Sequence, residues 1–292
     1  DIEFTVTDTA GAVASELSAT GDELNEANDV NVVGGTIDVA AADAVQDITA
    51  YDEIDSNYDI EDNAATLLST TGVDTVVDSG VDTVFVTDSS VDADTGAQLN
   101  ALELSLQDVG GTDIEFTVTD TAGAVASELS ATGDELNAAN DVNVVGGTID
   151  VAEAASVQDI TRYDAVDSGY VIEDSAGSVL GDTGTILDGG VAQVNVNSIA
   201  SANVGVELGS LEDALYAGYS SDISFTVSDD ASAIAGVLAQ GDELNNAEDV
   251  NVVGSTIDVA AADAVQDITR YDAAASDYDI EDSASAILRN VR

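Results

Sequence analysis

The feature that most constrains this chain is repetition. The stretch DIEFTVTDTAGAVASEL at residues 1–17 returns unchanged at 113–129 and, altered, as DISFTVSDDASAIAGVL at 222–238. Landmarks between the copies recur in the same order. GDELN starts at Gly21, Gly133 and Gly241, and VNVVG at Val30, Val142 and Val250. Gln-Asp-Ile-Thr starts at Gln46, Gln158 and Gln266, and Tyr-x-Ile-Glu-Asp at Tyr58, Tyr170 and Tyr278. The chain reads as one repeat module at 1–112, a second at 113–221 and a partial third at 222–292. Segments this alike fold alike, so whatever buries the apolar face of one copy must recur in the others.

A shorter period lies inside the long one. Strand-like runs end at Asp8, Gly34, Asp62, Asp88, Asp120, Gly146, Asp174, Ser198, Asp229, Gly254 and Asp282, 24 to 32 residues apart. In the first run Ile2, Phe4 and Val6 alternate with Glu3, Thr5 and Thr7, the period-2 pattern of a half-buried strand. The corresponding inward pairs are Val30/Val32, Tyr58/Ile60 and Val84/Val86. After the strands, Ala10, Val13 and Leu17 keep helical spacing, as do Ala41, Val45 and Ile48, and Asn63-Ala-Ala-Thr-Leu-Leu starts a third helix. ALELSL at 101–106 reads as strand or helix. A strand and a helix of this size cannot bury their apolar faces alone, whereas stacked units can. The expected fold is therefore an α/β solenoid of about eleven strand–helix coils of ~27 residues each, one continuous structure with a parallel sheet face and a helical face. A doubly wound α/β domain is the alternative, but its sheet is covered on both faces and would not carry so many outward threonines.

Composition restricts function more than fold. With 59 acidic residues against four arginines and no lysine, the net charge is −55. Nucleic acid is excluded as a partner, because phosphate binding needs clustered cations. Anionic membrane surfaces are disfavoured for the same reason, and no apolar run reaches the roughly 20 residues of a membrane span. Hydrophobic residues nevertheless make up 45% of the chain, which argues against disorder. They are mostly Ala, Val, Ile and Leu, suited to thin layers of small side chains. Self-repulsion of this size must be screened or neutralised. A marine or hypersaline exterior does the first, and divalent cations spread over the surface do the second. Cysteine, histidine, methionine, tryptophan and proline are all absent, and the lack of an initial Met suggests a mature or excised piece of a longer chain.

The pattern φ-x-φ-T-D-T-A-x-x-V-x-x-x-L, with the unit V-x-V-V-G-x-x-I-x-V-A-x-A-x-x-V, resembles tandem modules of very large secreted bacterial surface proteins. Adhesins, biofilm-matrix proteins and S-layer-like proteins, often type I-secreted, contain such modules. The resemblance covers nearly the whole chain and implies extracellular structural or adhesive use. The nonapeptide calcium repeat G-G-x-G-x-D frequent in such proteins does not occur here.

Candidate sites are few. The strand-end carboxylates Asp8, Asp62, Asp88, Asp120, Asp174, Asp229 and Asp282 could form a row that binds Ca²⁺. Helix capping is the preferred reading, since Asp, Ser, Thr and Asn before a helical run accept its orphan N–H groups, and Gly34, Gly146 and Gly254 interrupt the row. Asp92, Asp94, Asn100 and Glu103 share the ligand spacing of a calcium loop, although Ala97 stands where its turn glycine belongs. Calcium is the one cofactor these residues suggest. Thr20 with Glu23, and Thr132 with Glu135, fit a capping box that the third copy, with Gln240, lacks. Arg162 and Arg270 can pair with Asp159 and Asp267 on a helix surface. The pairs Tyr51/Tyr58, Tyr163/Tyr170 and Tyr271/Tyr278 are expected to pack between units, with a carbohydrate-binding face as the alternative. Without His, Cys or Lys, only carboxylates, tyrosines and hydroxyls remain for chemistry, and no enzyme is expected; a two-carboxylate glycosidase is set aside.

The resulting expectation is a structural protein of the cell exterior. It would form or space a surface layer, sheath or filament, associating with itself end to end by stacking coil on coil. The alternative is an adhesin arm that meets glycans or a surface partner along the sheet face.

Overall fold

The computed structural model describes residues 3–20, 22–133, 135–238 and 241–290. Two expected features, inward-facing Ile2 and the Gln240 variant of GDELN, fall outside them. The chain divides into two compact units. One comprises residues 1–120, 124–143 and 159–164, the other 121–123, 144–158 and 165–292.

In the first 120 residues the strands are β1 (Thr5–Asp8), β2 (Asp29–Ile37), β3 (Asn57–Asp62), β4 (Val81–Val86), β5 (Ile114–Glu115) and β6 (Thr117–Asp120). They are followed by β7 (Asp141–Ile149), β8 (Gly169–Asp174), β9 (Val191–Val196) and β10 (Asp222–Ser224). The last are β11 (Thr226–Asp229), β12 (Asp249–Ile257) and β13 (Asp277–Ile280). Helices α1 (Ala10–Thr20), α2 (Val39–Gln46), α3 (Ala64–Leu67), α4 (Thr70–Val76) and α5 (Ala93–Asp108) alternate with the early strands. Next are α6 (Ala122–Thr132), α7 (Val151–Gln158), α8 (Ala176–Gly181), α9 (Thr183–Ile186) and α10 (Ala202–Tyr219). The last three are α11 (Ala231–Leu238), α12 (Val259–Gln266) and α13 (Ala284–Asn290). The strand pairings among the described residues are parallel, as strands separated by a crossover helix require.

The alternating pattern does what it predicts in most units. Val30, Val32, Tyr58, Ile60 and Val84 are at most 1% exposed, and the helix residues Val39, Ala42 and Val45 close over them. The helices start where short polar side chains take up the first-turn N–H groups. Asp38 accepts from Ala41 N at 2.8 Å, Asn63 from Thr66 N at 3.0 Å and Asp92 from Thr95 N at 2.8 Å. ALELSL lies inside α5 and is helical. The run at Gly34 is no strand end. The strand continues to Ile37 through a bulge in which Gly34 and Gly35 take positive φ, and its register on β3 shifts between Val33 and Thr36.

The single continuous sheet is not what forms, and the chain is not a solenoid repeat protein of eleven coils. Among the described residues it is an α/β fold with three separate parallel sheets and thirteen helices. The sheets are β1-β2-β3-β4-β5, β10-β9-β8-β7-β6 and β11-β12-β13. The cause lies in the run that opens each module. IEFTVTD is not one strand but two, β5 and β6, separated by Phe116. Ile114 and Glu115 pair with Val84 and Phe85 of β4. The Phe116 N–H then donates to Asn140 Oδ1 at 2.8 Å, and its carbonyl accepts from Asn140 N at 2.9 Å. With both backbone groups taken, the ladder to β4 stops, and the next residues find another partner: Val118 bridges Val91. The same break recurs at Phe225, between β10 and β11, where its carbonyl accepts from Glu248 N at 2.9 Å.

Candidate functional site

Apart from Asp88, which lies four residues before the α5 cap Asp92, the strand-end aspartates sit one residue before the N-caps of their own helices, so they do not close those helices. Asp62 Oδ1 accepts from Asn63 N at 2.8 Å, and Asn63 is the residue that caps α3. Asp8, Asp174, Asp229 and Asp282 accept in the same way from Thr9, Ser175, Asp230 and Ser283. The second oxygen reaches back to the opening N–H of the helix one unit earlier. Asp62 Oδ2 accepts from Val39 N at 3.3 Å, Asp88 from Ala64 N at 2.7 Å and Asp120 from Ala93 N at 3.1 Å. Asp174 takes Val151 N at 3.3 Å, Asp229 takes Ala202 N at 3.0 Å and Asp282 takes Val259 N at 3.4 Å. Ser198 fills the equivalent place with its hydroxyl, 2.9 Å from Ala176 N. A carboxylate at the positive end of a helix is stabilised by the aligned peptide dipoles, and its hydrogen bonds are charge-assisted. Burial alone pushes the Asp174 carboxyl upward, yet bonds from Ser175, Ser178 and Val151 hold it below the usual carboxylate range.

This use of both oxygens leaves little for a cation. Among the described residues no three Asp or Glu side chains converge into a set that could hold a metal ion. A cleft of about 210 Å³ at the strand ends is lined by Thr36, Ile37, Asp38, Glu61, Asp62 and Thr87, but Asp38 and Asp62 are already bonded to helix N–H groups. The segment with calcium-loop spacing is a helix. Asp92 caps α5, and at 1.5 Å of rise per residue Glu103 lies about 16 Å farther along its axis. Asp94 accepts from Gln98 one turn on, and Glu103 is buried at the opposite end.

The capping box does not form at Thr132, whose hydroxyl donates back to the Glu128 carbonyl; the Thr20 side chain is outside the described residues. Arg162 and Arg270 are exposed, and neither guanidinium forms an ion pair among the described residues. The tyrosines are structural where their units are complete. Tyr58 is 1% exposed, and its hydroxyl accepts from Gln46 Nε2 at 2.8 Å. The same nitrogen donates to the Thr75 carbonyl at 2.9 Å. Tyr51 donates to Asp78 Oδ1 at 2.8 Å, and that oxygen also takes Gly80 N at 3.0 Å. Burial pushes the Tyr58 hydroxyl up to about 12, and burial together with Tyr58 and Asp78 pushes Tyr51 higher still. Tyr170, Gln158 and the Thr185 carbonyl repeat the arrangement at 2.7 and 3.0 Å.

Sequence reasoning offered Glu103 as a calcium candidate and missed its counterpart Glu212. Both interrupt an apolar helix stripe, between Leu102 and Leu106 and between Leu211 and Leu215. Glu103 accepts from Ile114 N at 3.2 Å and from Gln107 Nε2 at 3.0 Å. Glu212 Oε2 is buried with no hydrogen-bond partner among the described residues. Burial, with Asp222 and Asp213 nearby, pushes its carboxyl up to about 7.

Two of the strands that end a sheet carry exposed apolar residues. At β1 Phe4 is 42% exposed, whereas its counterparts Phe116 and Phe225 are 4% and 1% exposed. At β13 Ile280 is 46% exposed, whereas Ile60 and Ile172 are fully buried. Among the described residues both strands, like the other strands that end a sheet, have a ladder partner on one side. Compared with protein-family models and with curated proteins, the chain matches none.

Proposed function

We propose that this is an extracellular structural protein that forms or spaces a cell-surface layer, sheath or filament. The observation that carries this reading is the recurrence of one α/β module along the chain, whose repeated carboxylates and tyrosines are spent on helix N–H groups and core hydrogen bonds. A net charge of −55 favours a saline exterior, where screening lets acidic surfaces approach one another. The resemblance of the modules to those of secreted bacterial surface proteins points the same way. Negative-stain electron microscopy of the purified protein in molar NaCl tests the proposal. Filaments or sheets are expected, and discrete single particles at every concentration would overturn it.

A further inference from the structure

We propose that the joint between α10 and β10 is a pH-sensitive latch, closed while Glu212 holds its proton and loosened when that proton leaves. Its basis is the contrast between the same joint in two modules, one clipped by a glutamate with partners and the other by a glutamate without them.

Residues 102–114 and 211–223 correspond position for position, from Leu102-Glu103 and Leu211-Glu212 to Asp113-Ile114 and Asp222-Ile223. In the first module both oxygens of Glu103 are used. Oε2 accepts from Ile114 N at 3.2 Å, which ties α5 to β5, and Oε1 accepts from Gln107 Nε2 at 3.0 Å. Gln107 also donates to the Thr112 carbonyl at 3.0 Å, so helix, turn and strand are fastened around one carboxyl group. Two substitutions undo this arrangement in the second module. Tyr216, 62% exposed, stands in place of Gln107, and the amide donor is gone. Asp213 stands in place of Leu104 and adds a carboxylate beside Glu212. Glu212 Oε2 is left buried with no hydrogen-bond partner among the described residues. A buried oxygen without a donor penalises the charged form and favours the protonated one.

No positive charge relieves it. The elements packed on α10 include α8, β10, β11, α11 and the short turn Glu243–Asn246. Their titratable groups are Asp222 on β10, Asp229 on β11 and Glu243 on the turn; α8, α11 and the strand β9 beside β10 carry none, and no arginine lies on any of them. On α10 itself stand Glu207, Asp213, Tyr216 and Tyr219. Asp229 is engaged at the start of the helix by Ala202 N, and Asp213 by Asn246 Nδ2 at 3.0 Å. Burial and Asp113 push the Glu103 carboxyl up, but the bond from Ile114 N draws it back. At Glu212 burial, Asp222 and Asp213 all push the same way, to about 7. The joint also has a position from which to act: β10 ends the second sheet, and the chain runs from it through Phe225 into β11 of the third.

Hydrogen–deuterium exchange of the full chain between about pH 6 and about pH 8 in molar NaCl, corrected for the intrinsic pH dependence of amide exchange, tests the latch. The stretch 220–224 should lose protection roughly tenfold as pH rises, because opening lets Glu212 return to its ordinary carboxyl acidity. The matching stretch 111–115 should stay level. Glu212→Gln, neutral at every pH, should abolish the change at 220–224. Tyr216→Gln, which restores the amide that Gln107 supplies, should move it to lower pH. A parent in which the two stretches respond alike, or a change at 220–224 that survives Glu212→Gln, overturns the proposal. Should Glu212→Gln fail to fold, Tyr216→Gln decides, and a change that stays at the same pH in it overturns the proposal equally.

Discussion

Replacing Asp88 with alanine or with serine separates a helix brace from a cation ligand. Asp88 is exposed, and its Oδ2 accepts the opening N–H of α3 at 2.7 Å. Alanine removes that acceptor and leaves the N–H to water, a loss comparable to an N-cap deletion of about 1 kcal/mol. At the equivalent place in the second module Ser198 Oγ takes Ala176 N at 2.9 Å, so serine can do the same work without charge. Asp88→Ser should therefore lie within about 0.5 kcal/mol of the parent, and Asp88→Ala should lower Tm by roughly 2–4 °C. Urea unfolding in 1 M NaCl is the assay, because at a screening length of about 3 Å the relief of general acidic repulsion no longer masks the local effect. Each variant is measured with calcium and with a chelator. Equal losses for serine and alanine, or a loss that appears only with calcium, would refute the brace.

Other expectations follow from the same geometry. The Glu212 carboxyl, pushed up to about 7 in the fold from an ordinary 4.5, binds its proton more tightly folded than unfolded. Its contribution is thus fully present below about 4.5 and lost as pH rises through about 7. Glu212→Gln should flatten stability between pH 5 and 8, and superimposable urea curves for the two proteins across that range would contradict this. Gly72→Ala places a methyl group against the backbone carbonyls of Thr66 and Leu67, and should cost about 2 kcal/mol or more by thermal unfolding. Ser255 holds φ 70 where the other modules have Gly35 and Gly147. Ser255→Gly should give a net gain of about 0.5 kcal/mol, the relief of a left-handed backbone offset by the looser unfolded chain.

Much of the local structure was legible because it obeys short periods. Val30, Val32, Tyr58 and Ile60 alternate and are buried, and Asn63 caps its helix, whereas Asp62, read as a cap, stands one residue too early and Asp92, read as a calcium candidate, is a cap. The longer-range arrangement was not. The sheet break at Phe116 depends on Asn140, 24 residues away, and an asparagine before a strand looks like any turn residue. From Asp62 onward the strand-end aspartates reach back 23 to 27 residues with one carboxylate oxygen, which no helical or strand period records. Phe4 matches Phe116 in sequence context but not in burial, because a side chain's cover comes from other segments. Glu103 invited a ligand reading through spacing alone; its place within an apolar helix stripe was the better signal, and it also marks Glu212.

The central claim is that this protein builds a structure by associating with itself, and sedimentation velocity in molar NaCl tests it most directly. The parent should grow in mass with concentration. A parent that stays a single species across the accessible range would contradict the account.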